Sequence, residues 1–498
     1  MSSEWGLLQK KSQKADILQL SLFRTTRQVA IILALSFLFV SGGLVFWQVV
    51  KADELSTYTG NSRLTLYGQN VLRGGIFDRS GKVLAMSKEA EEPGSQKYVR
   101  SYPTGDMCEP WLGYSSKVYG SSGVEKAREK TLLGLTGGSW LDMLKREFSE
   151  EKKGYDIVLT LDADLQKVAV EAMEGRVGSA VVLDPKTGEV LALVSSPRFD
   201  PNALEENWES IIGGNNSPMS NHAFSRFPPG SVMKIVSSMV LFQGGVDTGE
   251  LYHCTGSTVI NGQTISEQNG NAHGWVNYDM ALAYSCNTYF AERGIQAGDD
   301  AFKKAVSGFG FGDRIPFDLS LEKSAISNSS AVGDNMDVNL KASSLFGQGQ
   351  VLISPFHMAL IVAAVANEGT MMSPYLVQRV LGPDQNMIEE AEPKVWRQPL
   401  SAAQAAKIKN GMIEAVRDPQ GTAGLGMIPG VTVAAKTGSA EPGGSGQTHA
   451  WYAAFAPADD PRVAVVVLVE NGGAGGKVAA PVATKIIQEA LTKKGGEQ

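Results

Sequence analysis

Three short clusters of hydroxyl, amine and amide side chains are the residues of this sequence best suited to chemistry. Ser231 and Lys234 lie in "RFPPGSVMKIVSSMVLF", where the prolines and glycine predict a helix that starts near Ser231. Because residues three apart share one face of a helix, the lysine amine is expected beside the serine hydroxyl. Serine becomes a nucleophile when a base removes its proton, and burial lowers the pKa of a lysine enough to make it that base.

The other two clusters supply groups that would complete such a site. Ser285 and Asn287 stand two apart between helix-like segments, and a bend there would let both face one cleft. Residues 436–438, Lys-Thr-Gly, lie on a predicted strand, where a cation, a hydroxyl and a glycine suit docking of an extended peptide with a terminal carboxylate. Ser-x-x-Lys in isolation is usually non-catalytic, but the three clusters in this order indicate a catalytic site far more specifically than any one of them alone.

A second copy of Lys-Thr-Gly, at residues 186–188, has different surroundings. It lies in "VVLDPKTGEVLAL", between two runs rich in Val and Leu, where its proline and glycine suit a β-turn. This copy is therefore predicted to be the loop of a hairpin.

The elements predicted around these clusters form an α+β domain. The hairpin at 181–193 and three runs within 431–470 supply five strands, and short loops predict an antiparallel order for the last three. The segments "HMALIVAAVANEG" and "PVATKIIQEALTKK" are apolar helices that would cover the sheet. Upstream, "DIVLTLDADLQKVAVEAMEG" predicts a strand, an Asp cap and a helix, and residues 78–81 predict a turn between two short strands.

The N-terminal segment predicts a membrane anchor. Residues 28–50 contain no charged side chain, and a run of about 20 apolar residues is enough to cross a bilayer core. The run is longer than the core of a cleaved signal peptide, which favours an uncleaved, single-pass signal anchor. Lys and Arg dominate residues 1–27, so this segment is expected in the cytoplasm and everything after the anchor outside the membrane.

Length and composition limit the domains and the function classes. The 498 residues allow two or three domains, and we predict a membrane-proximal domain at 51–153 and a larger one at 154–498. The net charge of −7 and the lack of a basic block after the N-terminal segment argue against nucleic-acid binding. No HxxxH, HExxH or CxxC spacing occurs, so neither a metal nor another cofactor is expected. The three cysteines are interpreted as isolated packing residues: Cys108, Cys254 and Cys286.

The ordered trio makes the chain resemble a class B penicillin-binding protein, a membrane-anchored peptidoglycan D,D-transpeptidase. Other segments similar to that family extend the resemblance over nearly the whole chain: "RGGIFDRSGKVLA" at 73–85, "AVVLDPKTGEVLALVSSPRFDPN", "LFGQGQVLISPFHMA" at 345–359 and "GTAG" at 421–424. The resemblance implies a penicillin-binding transpeptidase or serine β-lactamase-like fold. This fold has a five-stranded antiparallel sheet between helices, together with a small extended N-terminal (pedestal) domain and one transmembrane helix.

The resemblance also implies roles for the matching residues. Five would be catalytic, as the acylated nucleophile, its general base and the groups that relay protons and hold substrate: Ser231, Lys234, Ser285, Asn287 and Lys436. Three would bind the substrate peptide, whose carboxylate the lysine and the two hydroxyls would hold: Thr437, Gly438 and Ser439. The backbone N–H groups of Ser231 and Ser439 would form the oxyanion hole. Ser439 stands where family members often have Thr, and the hydroxyl is retained.

The implied reaction has two steps. Ser231 attacks the D-Ala–D-Ala bond of one stem peptide, and an amine from a neighbouring strand then converts the acyl-enzyme into a cross-link. Class A β-lactamases use a Glu-x-x-Leu-Asn motif to activate water; none is visible here, so β-lactams are expected to stay attached as inhibitors. A β-lactamase or D,D-carboxypeptidase, a β-lactam sensor and a non-enzymatic scaffold are the alternatives.

The resemblance also bears on partners. The region 51–153 is too short for a glycosyltransferase domain, so glycan polymerisation would have to come from another protein. Some family members pair with SEDS-type glycan polymerases, so the resemblance makes such a polymerase a candidate partner, with the region 51–153 as a candidate docking surface.

Overall fold

A computed structural model of the protein describes residues 2–51, 68, 71–90, 97–136, 152–214, 216–328, 336–441 and 446–495. The chain divides into two units, residues 1–67 and residues 68–498. The boundary predicted between residues 153 and 154 lies within the second unit and stays a prediction.

The described residues of the first unit form a long helix, α1 (Ser2–Val45), that continues into one π-helical turn (Phe46–Val50). Its apolar part, Ser21–Val45, is long enough to cross a membrane, and none of this part is buried within the protein. Phe39, for example, is 84% exposed. A helix with such an exposed apolar surface suggests a single membrane anchor, as predicted, because lipid tails would cover the apolar side chains that are unfavourable in water.

The second unit contains the other strands and helices. The strands are β1 (Val71–Leu72), β2 (Ile76–Phe77), β3 (Val83–Glu89), β4 (Tyr98–Ser101), β5 (Ser115–Ser116), β6 (Gly120–Ser121), β7 (Lys152–Lys153), β8 (Asp156–Leu159), β9 (Gly178–Leu183), β10 (Val190–Ser196), β11 (Tyr252–Cys254), β12 (Ser257–Ile260), β13 (Gln263–Ser266), β14 (Gly274–Val276), β15 (Met371–Met372), β16 (Val377–Leu381), β17 (Met387–Glu390), β18 (Val395–Arg397), β19 (Ala434–Ala440), β20 (His449–Ala456) and β21 (Val463–Val469). The helices are α2 (Gly123–Ala127), α3 (Glu129–Leu132), α4 (Ala163–Met173), α5 (Leu204–Gly213), α6 (Lys234–Gln243), α7 (Tyr278–Ala283), α8 (Asn287–Ala297), α9 (Asp299–Gly308), α10 (Val338–Ser344), α11 (Pro355–Ala366), α12 (Ala402–Arg417) and α13 (Gly475–Gly495).

A mixed six-stranded sheet joins residues from both sides of the predicted domain boundary. Its strand order is β17-β16-β8-β2-β3-β4, in which β2 and β8 are parallel and the other neighbours antiparallel. The predicted turn between β2 and β3 is confirmed, because Asp78 Oδ1 accepts backbone N–H bonds from Ser80 and Lys82, both at 2.8 Å. The strand, cap and helix predicted next are also confirmed as β8, Asp162 and α4, where the Asp162 carboxylate accepts two N–H bonds.

The predicted five-stranded antiparallel sheet forms the core of the second unit. Its order is β10-β9-β21-β20-β19, which makes β19 an edge strand. Every residue of β9, β10, β20 and β21 is buried, as expected for strands covered on both faces. The first Lys-Thr-Gly is the loop between β9 and β10, where Asp184 Oδ1 accepts N–H bonds from Lys186 and Thr187.

Helices cover this sheet and position the site. The two predicted covering helices are present: α13 packs on β20 and β21, and α11 packs on β9, β20 and β21. Helix α6 packs against α8, α9 and α11, and the Gly230–Met233 turn that precedes α6 packs against β19. This packing brings the start of α6, the start of α8 and the edge strand together.

Candidate active site

Ser231 lies in a single 3₁₀ turn, Gly230–Met233, that leads directly into α6, as the sequence predicts. Glycines make the close packing of this turn possible. Gly230 has a φ of 55°, and a Cβ added to Gly347 would lie 1.9 Å from Gly230 O. The Gly230 N–H also donates to Gly347 O at 2.9 Å, which fixes the turn, and with it the half-buried nucleophile, against the 345–349 segment.

The amine of Lys234 is fully buried and surrounded by oxygen atoms. Its Nζ lies 2.9 Å from Ser231 Oγ, 2.7 Å from Ser285 O, 3.1 Å from Ser285 Oγ and 2.6 Å from Asn287 Oδ1. Burial lowers the pKa of Lys234 to about 8, although the negative charge of nearby Glu267 opposes this change. A neutral amine is therefore available near neutral pH, within hydrogen-bond reach of the serine hydroxyl.

Ser285 and Asn287 lie at the bend between α7 and α8, and both reach the same cleft, as predicted. Ser285 has a φ of 63°, a left-handed conformation that is strained for a residue with a side chain. Asn287 starts α8, and its backbone N–H donates to Glu267 Oε2 at 2.8 Å. Its Nδ2 donates to Ser266 O at 3.0 Å, which turns the amide oxygen toward Lys234.

The second Lys-Thr-Gly lies on the edge strand β19, with Lys436 fully buried. Its Nζ donates to Ser285 Oγ at 2.9 Å and to Thr437 O at 3.0 Å. Burial, and after it the positive charge of Lys234, hold the pKa of Lys436 well below its ordinary value. The Ser285 hydroxyl thus contacts both lysine amines and can pass a proton between them.

Gly438 allows β19 to approach the turn that carries the nucleophile. A Cβ on Gly438 would lie 2.9 Å from Pro229 O and 3.2 Å from Val232 Cγ1. In return, a Cβ on Gly230 would lie 2.8 Å from Ser439 O. The backbones of the Ser231 turn and of Ser439 are therefore neighbours, which an oxyanion hole shared between them requires.

Three residues near the site had no role in the sequence prediction. Glu267, 4% exposed, holds the start of α8 through two backbone N–H groups, and no local pattern marks it. Thr422 accepts a 2.8 Å bond from the hydroxyl of Thr437. Thr422 and Gly347 both lie in segments that resemble the family, so a signal for them was present.

The interpretation of the cysteines as isolated residues is wrong for two of them. All three thiols are free and buried, and Cys108 lies in the Gly105–Cys108 turn. Cys254 and Cys286, however, lie with Glu267 and His273 in a cluster where one ligand atom from each residue falls within 4.8 Å of the others.

Comparison with known proteins shows which families the chain resembles. Residues 178–488 match the penicillin binding protein transpeptidase domain, and residues 73–157 match the penicillin binding protein A dimerisation domain. The peptidoglycan D,D-transpeptidase PbpA of Mycolicibacterium smegmatis is 33% identical over 493 residues, which cover 93% of this chain and 98% of that protein.

Solved structures show the same likeness. Penicillin-binding protein A from M. tuberculosis, as a ceftriaxone acyl-enzyme complex, has a TM-score of 0.79 and 31% identity, and covers 86% of this chain and 100% of its own. The penicillin G acyl-enzyme complex of the same protein has a TM-score of 0.77 and 31% identity, with 84% and 100% covered. The predicted fold is thereby confirmed.

Proposed function

The chain belongs to the penicillin-binding protein transpeptidase family, and we propose from this premise that it is a peptidoglycan D,D-transpeptidase that β-lactams inhibit covalently. Its acyl-enzyme forms on Ser231. The observation that carries the proposal is the 2.9 Å contact between Ser231 Oγ and the buried amine of Lys234. A serine hydroxyl beside an amine of lowered pKa supplies the nucleophile and the base of acyl transfer.

Acylation begins when the neutral amine of Lys234 takes the hydroxyl proton of Ser231 and Oγ attacks the carbonyl carbon of the D-Ala–D-Ala bond. The oxyanion that forms accepts bonds from the backbone N–H groups of Ser231 and Ser439. When this adduct collapses, the C–N bond breaks and the departing D-Ala amine takes up a proton. Ser285 Oγ contacts both lysine amines and is placed to deliver that proton.

Substrate binding follows from the position of β19. An edge strand leaves backbone groups free for an extended stem peptide, which would add to the sheet as a further strand. The amine of Lys436 and the hydroxyls of Thr437 and Ser439 would hold the terminal carboxylate. Gly438 places no side chain in the path of the peptide.

In the second step an amine of a neighbouring stem peptide attacks the carbonyl carbon of the acyl-enzyme and gives a proton to Lys234. The ester bond to Ser231 then breaks, and Lys234 returns the proton to Ser231 Oγ. The cross-link then joins two strands. A D,D-carboxypeptidase or a β-lactamase would use water as the acceptor instead, and the lack of a Glu-x-x-Leu-Asn motif favours the amine.

The orientation and assembly of the chain are part of the proposal. The basic residues 1–27 would lie in the cytoplasm and the catalytic unit on the other side of the membrane, in keeping with the positive-inside bias. A membrane-proximal domain (51–153) would carry the transpeptidase domain (154–498). A SEDS-type glycan polymerase would supply the glycan strands.

The test is intact-mass spectrometry of the full chain in detergent after incubation with penicillin. We expect one stable adduct on the native chain and none on Ser231→Ala. Ser225→Ala is the matched control, because Ser225 lies six residues upstream and its hydroxyl donates to a nearby carbonyl, Asn221 O. An adduct that persists on Ser231→Ala would overturn the nucleophile assignment, and one that disappears within seconds would favour a hydrolase.

The acceptor needs a separate measurement. A synthetic stem pentapeptide should yield a cross-linked product when an amine acceptor is present. If only the shortened peptide appears at any acceptor concentration, the protein is a carboxypeptidase.

A further inference from the structure

We propose that Thr422 is a positioning residue for substrate binding, which orients the hydroxyl of Thr437 so that this hydroxyl donates to the substrate carboxylate. The inference rests on the proposed function, because it concerns a group that the carboxylate would meet there. In the free protein the Thr437 hydroxyl donates to Thr422 Oγ1 at 2.8 Å. A carboxylate accepts hydrogen bonds and donates none, so the Thr437 proton has to turn away from Thr422 when the carboxylate binds.

The reversal of one hydrogen bond lets Thr437 serve both states. A threonine hydroxyl has one proton and can donate one hydrogen bond while it accepts another. When Thr437 donates to the carboxylate, Thr422 can turn its own proton toward Thr437 Oγ1, so the 2.8 Å contact keeps one donor and one acceptor. Hydrogen bonds in such a chain polarise one another, which strengthens the donor that faces the carboxylate.

The free protein holds the proton of Thr422 weakly, so this reversal has a small cost. The Thr422 hydroxyl donates to Ala283 O at 3.4 Å, which is long for a bond between a hydroxyl and a carbonyl. The backbone N–H of Thr422 donates to the same carbonyl at 3.3 Å. Ala283 O therefore keeps a partner after the hydroxyl has turned, and no acceptor is left unpaired by the change.

The loop that carries Thr422 is tied to the bend that holds the catalytic amine. The hydroxyl of Tyr284, a residue that is 8% exposed, donates to Asp418 Oδ2 at 3.0 Å. The other oxygen of this carboxylate, Oδ1, accepts the backbone N–H of Gln420 at 2.8 Å. Because Tyr284 directly precedes Ser285, the Asp418 carboxylate fixes the loop against the bend between α7 and α8.

The start of α13 packs closely against both threonines. A Cβ added to Gly476 would lie 2.4 Å from Thr422 O and 3.5 Å from Thr437 Cγ2. Thr437 is buried and Thr422 is half-buried. This packing fixes the separation of the two hydroxyls and leaves the rotation of their protons as the available change.

Competition between Thr422 and the substrate for the Thr437 proton is the opposing interpretation, and it predicts the opposite result. If Thr422 only competed for this proton, removal of its hydroxyl would leave acylation unchanged or make it faster. If Thr422 orients the proton, the same removal leaves the Thr437 hydroxyl free to rotate, and acylation becomes slower. The sign of the change in rate therefore separates the two interpretations.

The test measures the second-order rate of penicillin attachment to the full chain in detergent, followed by intact mass. Thr422→Val keeps the shape of the side chain without its hydroxyl and should react about tenfold more slowly, as expected for the loss of one oriented hydrogen bond. Thr422→Ser restores the hydroxyl and should recover most of the native rate. Thr492→Val is the matched control, because Thr492 is exposed on α13 and its hydroxyl donates to Gln488 O.

A double-mutant cycle tests whether Thr422 acts through Thr437. Thr437→Val should slow acylation at least as much as Thr422→Val does, and the double variant should be no slower than Thr437→Val alone. Two independent effects that multiply in the double variant would overturn the proposal.

The methyl ester of penicillin tests the role of the carboxylate, which the ester lacks. Thr422→Val should slow attachment of the acid and leave attachment of the ester unchanged. An equal decrease for the acid and the ester would mean that the variant distorts the whole site, and this result would also reject the orienting role.

The remaining outcomes separate this inference from the proposed function. A native or faster rate for Thr422→Val, or a Thr422→Ser variant as slow as Thr422→Val, rejects the orienting role while the adduct on the native chain still supports the transpeptidase. Absence of any adduct on the native chain would instead reject the proposed function. Thr422→Ala supplies the same comparison if the valine variant does not fold.

Discussion

The pH dependence of acylation should follow the titration of Lys234. A pKa of about 8 gives a neutral fraction of about 9% at pH 7 and about 91% at pH 9, so the acylation rate should rise about tenfold between them. A lysine of ordinary pKa would be about 0.04% neutral at pH 7 and about 4% at pH 9, and the rate would rise about 100-fold without reaching a plateau. The size and shape of the increase therefore report the effect of burial directly.

The assay measures the second-order rate of penicillin attachment to the full chain between pH 6 and pH 10. The logarithm of the rate should rise with unit slope below pH 8 and level off above it. Lys234→Arg should lose acylation over the whole range, because a guanidinium stays protonated. Lys485→Arg, which changes an exposed lysine on α13, should keep the native profile.

Two outcomes would refute the reasoning. A rate that still climbs above pH 9.5 would mean that burial does not lower the pKa of Lys234 as the structure indicates. Substantial acylation by Lys234→Arg would falsify its assignment as the general base and point to another proton acceptor.

Three further predictions address stability and packing. Between pH 7 and pH 10, the free energy of unfolding of the native chain should rise by about 2 kcal/mol relative to that of Lys234→Met, as measured by urea titration. The reason is that Lys234 binds its proton more tightly in the unfolded chain than when it is buried. Glu125→Ala should destabilise the protein by about 3–5 kcal/mol in thermal unfolding, since it leaves the buried Arg73 and Arg100 without the carboxylate that both contact at 2.7 Å. Gly438→Ala should slow acylation by up to about 100-fold with little change in Tm, because the added methyl group pushes β19 away from the turn that carries Ser231. An unchanged acylation rate would contradict the close packing of β19 against that turn.

The sequence predicts the local parts of the fold better than the distant pairings. Hairpins and meanders join strands that follow one another, so the β9–β10 and β19–β20–β21 groups could be read from apolar runs and turn residues. The six-stranded sheet was not predicted. It pairs β8 with β2 and with β16, short strands far apart in sequence whose partners no periodic pattern identifies.

In the candidate active site too, local neighbours were predictable and tertiary contacts were not. Ser231 and Lys234 were predictable because one helical turn sets their separation. Glu267 was not, because its carboxylate reaches the start of α8 through tertiary packing. The cluster of Cys254, Glu267, His273 and Cys286 was missed for a related reason, because its members are spread along the sequence and the β11–β14 pairing brings Cys254 to His273.

The protonation states of the two buried lysines, Lys234 and Lys436, are coupled in the proposed mechanism. Their amines share Ser285 Oγ, and in the free protein the charge of Lys234 helps to hold the pKa of Lys436 low. A carboxylate bound at Lys436, from a stem peptide or a β-lactam, stabilises the cation there. Because repulsion is reciprocal, a cationic Lys436 then favours loss of the proton from Lys234. Binding of a substrate carboxylate would thus increase the neutral fraction of the base beside Ser231.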